Sequence, residues 1–219
     1  LLTAMNFSFA KTTVAAVALS LSTFSSFAQT IADVFNKPET PITWIGIDFS
    51  ATKYVGDPGT VNPAEMKGLF SKINTLTINE PDKYDITSAF KRTTTAPSKI
   101  EVTEAVNEKI DPAGIITPNV SEQNHLSESK IQNMVRRYNF PAGSSGVAVA
   151  FIMENLVKPT EKETFWVTFI DMKTKSVLLT DKITAKAGGF GFRNHWAGGV
   201  YAGLKEIKSS AYGKWKKQA

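Results

Sequence analysis

The apolar positions of the chain fall into blocks whose period changes from one block to the next. ITWIGIDFS (Ile42 to Ser50) is apolar on both faces of an extended chain, which predicts a strand inside a covered sheet. ATKYVGDPGTV follows as a loop punctuated by Gly56, Pro58 and Gly59. Asn62-Pro63-Ala64-Glu65 then opens a helix, with Asn62 as cap, Pro63 at the first helical position and Glu65 three residues after the cap. Met66, Leu69, Phe70 and Ile73 recur at helical spacing and face the core. After Pro81 a second, short helix is predicted over Asp82 to Lys91, and KRTTTAPSK reads as a linker. In KIEVTEAVNEKI (Lys99 to Ile110), Ile100, Val102, Val106 and Ile110 predict a strand with one wetter face. A Pro-Gly loop spans Asp111 to Asn119. Ser127 caps the next helix, whose stripe is Ile131, Met134, Val135 and Tyr138. GVAVAFIMENL (Gly146 to Leu156) is nearly continuous in apolar residues and predicts the central buried strand. TFWVTFID and SVLLTDKIT, joined by MKTK, predict an antiparallel hairpin whose turn Asp171 shapes. From about Phe192 to Lys208 the pattern is helical again, through Trp196, Val200, Leu204 and Ile207.

Strands joined through helices run parallel with right-handed crossovers, and strands joined by a short turn run antiparallel. The order of elements therefore predicts an α/β fold: a three-layer α/β/α sandwich on a mixed five-stranded sheet with its fourth strand reversed. The same order, and the segment FWVTFIDMKTKSVLLTDKITAKAGG with a strand ending in Asp before a Lys/Thr turn, resemble the curli-secretion-channel family. They are similar as well to the N-terminal domain of the periplasmic Tol-system propeller protein, and in overall style to secreted proteins of Bacteroidetes. The resemblance covers most of Pro41 to Lys208 and implies an anticodon-binding-like fold with strand order 2-1-3-4-5. The chain departs from these families in lacking a lipidation cysteine, membrane-inserting hairpins and propeller repeats, so channel activity does not carry over.

The N-terminus and the composition bear on compartment. From Met5, MNFSFAKTTVAAVALSLSTFSSFAQT has Lys11 in a basic start, an apolar stretch from Thr12 to Phe24, and Ser26-Phe27-Ala28 as a small-x-small site. The apolar stretch is shorter than the roughly 20 residues needed to span a bilayer. Residues 1–28 thus read as a secretory signal cleaved after Ala28, with Leu1 to Ala4 as an upstream extension. Removing 28 of 219 residues leaves 191, a single α/β domain over residues 29–219. Loss of Lys11 lowers the formal charge from +5 to +4, and the basic residues are scattered among acids, which argues against nucleic acid. Lys214, Lys216 and Lys217 around Trp215 read as a frayed, solvated helix end or, alternatively, as a membrane or polyanion contact. The absence of cysteine excludes disulfides, a lipoprotein anchor, thiol nucleophiles and cysteine-based metal sites. The expected location is the periplasm or the medium.

Chemistry-bearing constellations are few. His125 lies in the polar run SEQNHLSES and reads as a solvated loop residue; neither it nor His195 shows metal-ligand spacing, and no GxSxG is present. No metal or cofactor is expected. In open α/β sheets ligands sit beyond the strand ends where the order reverses, and this places Asp48, Ser50, Lys53 and Tyr54 beside Glu154 and Asn155. Paired acids there hold a cation or act as an acid/base pair; alternatively Asp48 and Ser50 bond loop amides and Glu154 points to solvent. GGFGFRNHWAGG (Gly188 to Gly199) has the look of a phosphate loop, but its third glycine is missing and Phe190 and Phe192 crowd the backbone. As a strand-to-helix corner it has Phe190 and Phe192 anchored in the core and a smooth face of Ala197, Gly198, Gly199, Ala202 and Gly203. Asn194 then caps the helix and leaves Arg193, His195 and Trp196 as a rim for partner recognition. The function expected is an exported, non-catalytic binding or assembly module of the bacterial envelope, with an envelope protein or small ligand as partner. A small hydrolase or nucleotide-binding enzyme using acids near Asp48 and Glu154, and a structural homo-oligomer, are the alternatives.

Overall fold

A computed structural model of the chain describes residues 30–219; the expected signal segment lies outside the described residues. The sheet is organised around β4 (Val147–Val157), buried along its whole length. Its side chains alternate, with Val147, Val149, Phe151 and Met153 in one core and Ala148, Ala150 and Ile152 in the other. β1 (Ile42–Asp48) runs parallel to the first half of β4, and β2 (Lys53–Val55) runs parallel to Asn155–Val157. The two share one flank of β4, separated by a bend. β3 (Ile116–Thr117) adds outside β2. On the other flank, β5 (Lys162–Asp171) and β6 (Ser176–Lys186) form the expected antiparallel hairpin. Its turn is held by Asp171, whose Oδ1 accepts from the amides of Lys173 and Thr174, both at 2.8 Å.

Helices cover both faces, giving three layers. α1 (Ile31–Asn36), α2 (Pro63–Asn79), α3 (Ile86–Ala89), α6 (Gly191–Glu206) and α7 (Tyr212–Lys216) contribute to the larger core. α5 (Glu128–Val135) and Val102 of α4 (Glu101–Asn107) build the smaller one. Asn62 and Ser127 cap α2 and α5 as their positions predict, accepting from the amides of Ala64 and Lys130. At the C-terminus Trp215 is buried, and its indole donates to Asp181 Oδ2 at 2.7 Å. The end of α7 is therefore docked on β6 through Trp215, while Lys214, Lys216 and Lys217 stay exposed, as the basic run suggested.

The sheet differs from the expected order 2-1-3-4-5. Six strands form it, in the order β3-β2-β4-β5-β6 with β1 paired to β4, and Lys99 to Ile110 is not a strand but contains α4. Val102, Val106 and Ile110 are spaced by four, so the apolar pattern suits a helix as well as a strand. Its polar residues settle the matter, because Thr103 and Asn107 are buried against the outer edge of β1. Backbone serves only the start of that edge, where the Ala96 and Lys99 amides donate to the Ile42 and Trp44 carbonyls. Side chains serve the rest. Thr103 Oγ1 donates to the Ile45 carbonyl at 2.6 Å. Asn74 of α2 accepts from the Ile47 amide and donates to the Ile47 carbonyl, and Asn107 donates to that carbonyl and accepts from the Phe49 amide. A strand edge buried without partners costs a hydrogen bond per group; here amide side chains stand in for the missing strand.

α6 approaches the sheet through its glycines. A Cβ at Gly199 would fall inside van der Waals contact of the Glu163 carboxyl, one at Gly203 inside the Phe165 ring, and one at Gly198 on the Gly188 carbonyl. Gly203→Ala is expected to cost about 1–3 kcal/mol by overpacking against the buried ring. Gly68→Ala, in exposed α2 surface with nothing near, is expected to gain about 0.5–1 kcal/mol. Urea unfolding of the two variants checks the contrast, and a shift of the same sign in both would contradict the packing described.

Candidate functional site

The acids expected to form a site face the smaller core, each with structural partners. Asp48 ends β1, is 1% exposed, and accepts from the Ser50 amide at 2.7 Å and from the Tyr138 hydroxyl at 2.8 Å. Burial pushes its carboxyl above the usual range, against the hydrogen bonds from Ser50 and Tyr138 and the charge of Arg137. Burial, followed by the Asp48 charge, pushes the Tyr138 phenol well above its own ordinary value. Glu154 sits at a bulge of β4 between Met153 and Asn155. It accepts from the Leu126 amide at 2.7 Å and the Trp166 indole at 3.1 Å, and it pairs with Lys182 at 2.8 Å. Asn155 donates to the Gln123 carbonyl. The bulge thus turns two successive polar side chains onto the loop before α5 and pins it. The expectation that Glu154 points to solvent is corrected by its complete burial. Lys53 leaves this group altogether, donating to the Gly114 carbonyl at 2.7 Å and pairing with Glu122. His125 is likewise part of the brace, its ring nitrogens 2.9 Å from the Glu122 carbonyl and 2.8 Å from the Ala51 carbonyl.

Tyr54 belongs to the opposite face, and the bend before β2 carries it there. Together with Phe192, His195 and Trp196 it lines a cleft of about 240 Å³ completed by Thr60, Val61, Lys158, Gly189 and Gly191. The Tyr54, Phe192 and Trp196 rings stand 5.9 to 6.2 Å apart and form its floor. The His195 ring stands edge-on to Trp196 at 4.8 Å, with Nε2 buried and unpartnered. The cleft offers an apolar floor, one ammonium and an imidazole; neither Asp48 nor Glu154 lines it. Among the described residues, no group of three or more His, Asp or Glu side chains is arranged to hold a metal ion.

The corner itself differs from the sequence reading in three ways. Trp196 is 2% exposed and therefore floor, not rim. Asn194 lies inside α6 and accepts from Arg193 Nε, while Phe190 occupies the cap position with no side-chain hydrogen bond. Phe190 is no core anchor: it is 95% exposed. Gly189 and Gly191 on either side have φ of +130° and +74°, conformations that throw the intervening side chain outwards and favour glycine. Arg193 is exposed beside it.

The sequence reading missed Glu163. It is fully buried beneath α6, and neither carboxyl oxygen has a hydrogen-bond partner. Alternation along β5 was the available signal, since Glu163 shares the face of Phe165, Val167 and Phe169. No family model matches the chain, and no curated protein matches it.

Burial pushes the Glu163 carboxyl well above its ordinary 4.5, so the fold holds it protonated where the unfolded chain releases the proton. That stability is complete below the unfolded value and is lost as pH rises towards the raised folded value, at about 1.4 kcal/mol per unit. Glu163→Gln is expected to remove this slope and to gain stability relative to the parent between about pH 5 and pH 7. Unfolding free energies across that range test it; parallel curves would show that Glu163 ionises in the fold.

Proposed function

We propose that the protein is an exported, non-catalytic binding or assembly module of the bacterial envelope, and that it recognises its partner at the corner between β6 and α6. The observation that carries the reading is Phe190, 95% exposed and flanked by glycines of positive φ at the rim of an aromatic cleft. Burying such a ring in a partner gains about 1.5–3 kcal/mol, and exposed aromatic anchors are the usual centres of recognition surfaces. The occupied hydrogen bonds of Asp48 and Glu154 favour binding over catalysis, because both acids already hold loops. The envelope assignment rests on the export signal read in residues 1–28 and on the resemblance of the β5–β6 segment to envelope-assembly domains. No helix among the described residues is long and apolar enough to cross a membrane.

A photo-crosslinking phenylalanine analogue at position 190, in protein exported by a bacterial host, is expected to give a discrete adduct on irradiation. The same analogue at Val120, 55% exposed on the turn Val120–Gln123, is expected to give none. Equal labelling at both positions, or no adduct at 190, would contradict the proposal.

A further inference from the structure

Resting on that reading of the corner, we infer that the partner Phe190 meets is a second copy of the chain, in a two-fold dimer where each Phe190 inserts into the other copy's aromatic cleft. A knob and a hole lie side by side on one surface. Gly189 and Gly191, the neighbours of Phe190, are themselves cleft-lining residues. The knob does not fill its own hole, since the ring is 95% exposed.

The sizes agree. A cavity of about 150 Å³ lined by apolar side chains admits a benzene ring, and this cleft offers about 240 Å³ over Tyr54, Phe192 and Trp196. Symmetry agrees as well. A patch that carries both halves of a contact is self-complementary and closes about a two-fold axis, whereas a knob and hole on different faces build open chains. Charge completes the match. At the corner the exposed charges are Lys158, Lys162, Lys186 and Arg193 with Asp57 and Glu161, and Lys158 stands 3.8 Å from Glu161. With both signs present, the acids of one copy can meet the bases of the other.

Sedimentation velocity of the exported, purified protein tests the dimer. Between about 10 µM and 1 mM the sedimentation coefficient is expected to rise with concentration as mass action requires. Phe190→Ala should weaken association by at least about tenfold, as loss of a central aromatic anchor does. Thr60→Trp, which fills the hole and leaves the knob, should weaken it similarly. An equimolar mixture of the two variants should associate more tightly than either alone, because one intact knob-and-hole pair survives in the mixed dimer. Parent protein that stays monomeric at the highest concentration, or Phe190→Ala that associates like the parent, would overturn the inference. A monomeric parent that still gives a crosslink from position 190 to another protein would overturn the dimer and leave the recognition surface standing. A monomeric parent with no crosslink would overturn both.

Discussion

Helix α6 lies on β5 so closely that Gly199 faces the Glu163 carboxyl and Gly203 the Phe165 ring, with no room for a side chain at either place. At that distance Trp196 is driven down against Tyr54 and Phe192, and an aromatic floor forms where the helix meets the sheet. The chain leaving β6 must reverse between Ala187 and Gly191. It is tied at once by the Gly188 amide to the His195 carbonyl, at 2.9 Å. The turn that seats the helix also presents Phe190 to solvent, between two glycines of positive φ. The packing and the recognition surface are two consequences of one contact.

Buried polar groups divide into those the fold satisfies and those it does not. Asn74, Thr103 and Asn107 complete the outer edge of β1 with hydrogen bonds a strand would otherwise supply. Glu154 and Asn155, turned to one side by the bulge, hold the loop before α5. In each case both partners leave water together, and the net effect is modest but favourable. Glu163 is the contrary case, a carboxyl in the core with no partner and a raised pKa. It subtracts from stability at neutral pH, and its carboxyl occupies the space that a side chain at Gly199 would need.

What was legible in the sequence was local. The caps Asn62 and Ser127, the Asp171 turn, the buried run of β4 and the β5–β6 hairpin all depend on neighbours within a few residues. With the parallel pairing of β1 and β4 they define the α/β layers. α4 was illegible because its apolar spacing fits both periods, and its deciding contacts lie with β1 residues about sixty positions earlier. Tyr54 was placed with Asp48 because the bend between β1 and β2, which sends them to opposite faces, leaves no mark on apolar spacing. Phe190 and Phe192 are equivalent by composition. Only the dihedral angles at Gly189 and Gly191 separate the exposed ring from the half-buried one.

The candidate site therefore moved from acids beyond the strand ends to an aromatic cleft on the other face, retaining Tyr54, His195 and Trp196 from the sequence reading. Recognition at this corner requires Phe190 to be presented rather than packed. The unfolding free energy of Phe190→Ala measures this directly. A presented ring predicts a value within about 0.5 kcal/mol of the parent, as for an exposed position. A loss of about 3–5 kcal/mol, the cost of truncating a buried phenylalanine, would contradict it.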